Sequence, residues 1–247
     1  MRWTALCAGR GRRHGFPVRA GEGAGDSLRE MGLLRTDMDI VLLPELDLQA
    51  VAGLPGIARA VRAAGRTTPL RVNGPSGIVP VVDGANLLVS AGDAVRLSVV
   101  SEGEDQGLAG RVVFDSGVVS IRMFGSPDVR GRVYRVDFDG KSLVLAGCRV
   151  DAETILSAVR GTMTAAGVLS AGSEVLAPNA DACVDVDEVL EAAGQGRLAA
   201  ALVIPDSAIP ARDAWRELIA AQPQAKAGLG LAGAQIDLTA DQPQMRE

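Results

Sequence analysis

Apolar and polar positions along the chain change period several times, and the changes outline alternating strands and helices. Met38 to Leu43 (MDIVLL) is an apolar, β-branched run broken only by Asp39, and reads as a buried strand. After Gly53-Leu54-Pro55-Gly56, the segment IARAVRAAG sets Ile57, Ala60, Val61 and Ala64 on one helical face, with Gly65 placed to end the helix. Pro69 to Asn73 (PLRVN) is a short strand, and Gly74-Pro75-Ser76-Gly77 is a turn. Upstream, Gly25 to Leu34 predicts a short helix closed by Gly32.

Between Ala94 and Gly147 the pattern becomes strand-rich, with VRLSVV, RVVFD, VVSIRMF, RVYRVDF and KSLVLAG in succession. Phe138-Asp139-Gly140-Lys141 carries the Asp-Gly of a tight hairpin between the last two. Helices follow over about Ala152 to Thr162 and in VDEVLEAAG, then a strand in AAALVIP, a helix from Ala211 to Ala221, and a last strand near AGAQIDL. Strands pair with helices in both halves, with a meander between them. This order suits two sheets packed face to face with helices outside, a four-layer αββα sandwich of the α/β class. Without a short repeat or a low-complexity linker, residues 1–247 read as a single domain. Within it, 1–24 is a loop-rich N-terminus around one short strand, and 241–247 is a frayed tail.

Composition narrows the chemistry. With 47% hydrophobic residues but only 3% aromatic ones, the core must be built from Val, Leu, Ile and Ala. A net charge of −5 gives no electrostatic reason to expect nucleic acid as a partner. The basic cluster of Arg10, Arg12, Arg13 and Arg19 reads as a solvated segment. No apolar run is long enough to span a membrane, and no secretory signal is legible, so the expected location is the cytoplasm. Cys7, Cys148 and Cys183 are odd in number and widely spaced, which indicates neither a disulfide framework nor a structural zinc site.

The segment MDIVLLPELDLQAVAGLPGIARAVRAAGRTTPLRVNGPSG resembles the metallo-β-lactamase superfamily, in particular its ribonuclease Z-like and arylsulfatase-like branch. The resemblance continues in YRVDFDGKSLVLAGC and in ALVIPD followed by DAWRELIA, so it runs from about Gly25 to Leu238. It implies the αββα fold and a hydrolytic zinc centre held by a His-x-His-x-Asp-His loop. Counted back from Gly53-Leu54-Pro55, the His, His, Asp and His positions hold Glu45, Asp47, Gln49 and Ala50. The next histidine position falls in Met123-Phe124-Gly125-Ser126, the bridging Gly-Asp reads Gly147-Cys148, and the late histidine position reads Asp206.

A hydrolytic zinc needs about three imidazole or anionic ligands and an open water position. The chain has one histidine, His14, which lies outside every ligand position and reads as a surface or loop residue. The expectation is therefore a pseudoenzyme without zinc, serving as a binding or partner subunit, with a cleft lined by Glu45, Asp47, Gln49, Ala50, Cys148 and Asp206. The alternative is an ester or phosphodiester hydrolase in which Glu45, Asp47 and Asp206 hold Mg²⁺, Mn²⁺ or Ca²⁺, since oxygen-rich sites suit hard cations. Cys148 as a nucleophile would need a histidine or cationic neighbour to hold its thiolate. No cofactor is expected, and the partner expectation is a second copy or an active relative.

Overall fold

A computed structural model of the chain describes residues 3–9, 12–30, 32, 38–89, 92–100, 107–125, 130–162, 164–171, 185–196, 198–205, 212–230, 235–237 and 244–246. The chain read above as one domain falls into two compact units, Met1–Glu104 and Asp105–Glu247. The polar run Ser101-Glu102-Gly103-Glu104-Asp105-Gln106 joins them.

The first unit holds a five-stranded sheet in sequential order. Its strands are β1 (Trp3–Gly9), β2 (Arg12–Val18), β3 (Ile40–Leu42), β4 (Leu70–Asn73) and β5 (Leu97–Val99). The first two form an antiparallel hairpin, and from β2 onward each strand runs parallel to the next. Helices α1 (Ala24–Glu30), α2 (Leu48–Val51), α3 (Leu54–Ala63) and α4 (Ile78–Leu87) fill the connections. Parallel pairing demands such crossovers, because a hairpin turn cannot return the chain in the same direction. Helix α3 buries Leu54, Ile57, Ala58, Ala60 and Val61, and Leu54, Ile57, Ala58 and Val61 join a core cluster with Val41, Leu43, Leu70 and Val72, while Ala64 at the end of the predicted face is half-buried. Pro55 opens that helix in its first turn, where a missing N–H costs nothing.

Two features of this unit correct the sequence reading. The loop-rich N-terminus is instead the β1–β2 hairpin, with Trp3 opposite Val18 and Gly9 opposite Arg12. Its Arg and Gly content hid the strands, because pairing and burial decide a strand more than intrinsic preference does. Helix α4 (IVPVVDGANL) was not foreseen either. Its β-branched residues and Pro80 argue against a helix, but Pro80 lies in the first turn, where proline is tolerated.

The second unit holds a seven-stranded sheet in the order β12-β11-β10-β9-β8-β7-β6. Strands β6 (Arg111–Asp115), β7 (Val119–Phe124), β8 (Val133–Phe138) and β9 (Lys141–Ala146) form the expected antiparallel meander, with Asp139 and Gly140 at positive φ in the β8–β9 turn. Strands β10 (Thr164–Ala171), β11 (Ala200–Pro205) and β12 (Ala227–Leu229) continue it in parallel from β9. Helices α5 (Ala152–Val159), α6 (Val186–Gln195) and α7 (Arg212–Ala220) accompany them. Ile155, Val189, Leu190, Trp215 and Ile219 from these helices share a core cluster with Val133, Val144, Leu169 and Val203.

Helices α5 and α6 are capped by Asp151 and Asp185, whose carboxylates accept from the N–H of Thr154 and Asp187. Strand β10 (TAAGVLSA) was unexpected from its small residues. The tail read as frayed contributes β14 (Gln244–Arg246), antiparallel to β13 (Gln235–Asp237). No helix among the described residues is long and apolar enough to cross a membrane.

Candidate functional site

In a parallel sheet, ligand sites form where loops leave the carboxyl ends of the strands. In the first unit these loops are Arg19 to Gly23 after β2, Leu43 to Asp47 after β3, and Gly74 to Gly77 after β4. Gly74 permits their close approach, since a Cβ there would lie 2.9 Å from Ile78 Cδ1 and 3.3 Å from Leu43 Cβ. Backbone hydrogen bonds tie the first loop to the elements that flank the second, from the N–H of Arg19 to the carbonyl of Leu42 in β3 and from that of Ala20 to the carbonyl of Ala50 in α2. The N–H of Gly53 donates back to the Ala20 carbonyl.

The four positions of the expected ligand loop have different fates. Glu45 is 2% exposed and its Oε1 lies 2.8 Å from Nε of Arg19, itself 4% exposed. This contact is an ion pair without the alignment of a hydrogen bond. Asp47 points a half-buried carboxylate at the first turn of α2, accepting from the Ala50 N–H at 2.8 Å, and its second oxygen lies 3.9 Å from Arg19 Nη2. Gln49 is exposed, and Ala50 is buried with no donor to offer. Arg19, read above as solvated, is instead buried at the centre of this loop cluster. The signal that could have found it is a charged residue placed directly after the strand GFPV.

His14 is also not a surface or loop residue. It lies in β2, is 2% exposed, and its Nδ1 is 2.9 Å from Oδ2 of Asp39, while its ring stacks on Phe16 with centroids 6.2 Å apart. Nearby, Arg66 donates to the carbonyls of Met38, Thr68 and Pro69. Burial lowers the pKa of this guanidinium, with the Asp39 charge opposing the shift.

In the second unit, Cys148 follows β9, is buried and is disulfide-bonded, its partner lying outside the described side chains. The bond overturns the expectation of no disulfide, and it leaves neither a thiolate nucleophile nor a thiolate ligand at this position. Beside it, Arg132 is 3% exposed and packs on Gly125, where a Cβ would lie 2.5 Å from Arg132 Cδ. The Arg132 carbonyl accepts from Gly147 N–H at 3.3 Å, so a buried arginine adjoins two further ligand positions of the resemblance. Sequence reasoning passed over it. Asp206 and Ser126 lie outside the described residues.

These side chains do not fit a zinc ion. Glu45 faces a guanidinium, Asp47 caps a helix, Ala50 has no donor and Cys148 is oxidised. Among the described residues no three His, Cys, Asp or Glu side chains gather as a metal requires.

Comparison with known proteins bears on the fold. No family model matches the chain. Ribonuclease Z of Clostridium kluyveri is 30% identical over 71 residues, a stretch that is 29% of this chain and 23% of that protein. The metallo-β-lactamase fold protein YhfI of Bacillus subtilis superposes with a TM-score of 0.65 at 12% identity, over 88% of this chain and 84% of its own. The short form of human tRNase Z gives 0.63 at 13% identity, over 82% and 84%. A diphosphatase of the PhnP family gives 0.61 at 9% identity, over 91% and 79%. The two mixed sheets with their helices therefore have the metallo-β-lactamase-type α/β fold of these structures.

Proposed function

We propose that this metallo-β-lactamase-fold chain is a pseudoenzyme without zinc-dependent hydrolase activity, which acts as a binding or partner subunit. The observation that supports this reading most is the Arg19–Glu45 pair, because it commits to an internal cation a carboxylate that a metal would need. Loss of imidazoles alone would leave room for an oxygen-ligated ion, whereas a buried guanidinium repels one. Elemental analysis of the purified protein, with esterase and phosphodiesterase assays, tests it. Less than stoichiometric zinc and no chelator-sensitive turnover are expected. Activity lost in chelator and restored by metal overturns the reading.

A second reading, a hydrolase with a carboxylate-rich metal site, is favoured by the local 30% identity to a ribonuclease Z and by fold neighbours named as a tRNase Z and a diphosphatase. It would need Asp206 and Asp47 to supply what Glu45 and Cys148 do not. Restoration of turnover by Mn²⁺ or Mg²⁺ identifies it.

For partners, a second copy or an active relative is the proposal. Light scattering and copurification from the native host test it, and a monomer without a copurifying protein counts against it. For location, cytoplasmic residence stands against the Cys148 disulfide, which an oxidising compartment would preserve and a reducing one would not.

A further inference from the structure

The carboxylates of the former ligand loop are not simply left over, because a cation faces them. We propose that the Arg19 guanidinium takes the place of a metal ion in this loop, holding Glu45 and Asp47 and closing the strand ends without metal. The inference deepens the zinc-independent reading above and rests on it.

Three independent observations converge on Arg19. The first is charge placement. Its Nε is 2.8 Å from Glu45 Oε1 with both residues almost fully buried, and its Nη2 is 3.9 Å from Asp47. A buried carboxylate demands a compensating cation, and Arg19 pairs with both Glu45 and Asp47.

The second is backbone conformation. Arg19 has φ +58, in the left-handed region where glycine is the inexpensive choice. A non-glycine residue persists there only when its surroundings impose it, which points to a requirement for this side chain. The third is the backbone lacing between the 19–21 and 42–53 segments, which fixes the direction in which Arg19 leaves β2.

A guanidinium carries one positive charge where a zinc ion carries two. The remaining negative charge falls to Asp47, whose side chain is 33% exposed and also accepts from the Ala50 N–H. A divalent ion entering the loop would have to displace a buried cation, so added metal has nothing to gain here.

The test is a stability cycle on the full chain with R19M, E45Q and the double variant, with and without millimolar Mn²⁺ or Zn²⁺. Wild-type Tm is expected not to move with metal. R19M is expected to lower Tm by roughly 10 °C, as it breaks a buried ion pair. Adding E45Q to R19M is expected to recover at least half of that loss, and R19K to fall between wild type and R19M. Should R19M fail to fold, recovery of folded protein in the double variant carries the same information.

Additive effects of R19M and E45Q, or a double variant no better than R19M, overturn the proposal. So does a wild-type Tm raised by metal in a manner that E45Q abolishes. These readouts are stability and metal binding, so they fail separately from the hydrolase assay.

Discussion

The one histidine of the chain, His14, is held by Asp39 across 2.9 Å, inside the first unit and on a strand. Its Nδ1 is engaged and its ring is stacked on Phe16, so its role is to complete a core and not to carry a metal. Replacing His14 by Ala should cost about 2 kcal/mol, since it deletes ring packing and leaves Asp39 without this partner. Urea unfolding measures the loss, and the metal content of the variant should equal that of wild type.

Arg66 anchors the start of β4 through three carbonyls, those of Met38, Thr68 and Pro69. R66A should destabilise by roughly 2–3 kcal/mol, the range for hydrogen bonds from a charged group. Lysine should recover little of it, because one ammonium cannot reproduce a planar fork aimed at three acceptors. Equal stability of R66K and wild type would contradict this account.

Two glycines close in sequence should respond in opposite ways. A Cβ on Gly53 would lie 1.9 Å from the Gly21 carbonyl oxygen, a contact that only backbone movement relieves. G53A should therefore cost several kcal/mol, on the order of the largest single-site losses. Gly56, inside α3, meets nothing within 4 Å, so G56A should stabilise by about 0.5–1 kcal/mol through helix propensity. Thermal denaturation of both variants separates the two effects.

Cys148 is oxidised, and the chain holds three cysteines. Titration of the denatured, unreduced protein should find one free thiol per chain, and iodoacetamide should label Cys148 only after reduction. Reduction should also lower stability by roughly 2–4 kcal/mol. Three titratable thiols before reduction would rule the bond out.

Where apolar residues repeat with a clear period, the sequence anticipated the structure. The run MDIVLL, the amphipathic IARAVRA and the Asp-Gly hairpin all reappear as β3, α3 and the β8–β9 turn. The misses share a cause: α4 and β10 are made of residues whose local preference is weak or contrary, and neighbours decided their state.

The site shows the same division. Counting from Gly53-Leu54-Pro55 singled out Glu45 and Asp47, and the structure puts both in the loop after β3, because position in a loop is a property of the sequence. Arg19 was not legible as their partner, because that depends on a backbone turn at φ +58 and on which strand ends lie together. The Cys148 bond was hidden likewise, since spacing says nothing of which thiols meet in space.

The left-handed turn at Arg19 also sets the order in which this loop could be rebuilt as a metal centre. Installing histidines at 45 and 47 first would strand a buried guanidinium beside uncharged rings and destabilise the protein before it bound any metal. Glycine at 19 removes the charge and suits the turn, yet by itself it takes from Glu45 the Arg19 ion pair. A joint change at 19 and 45 avoids the stability loss that either single change brings, so the least costly path back to a metalloenzyme begins with a pair of substitutions.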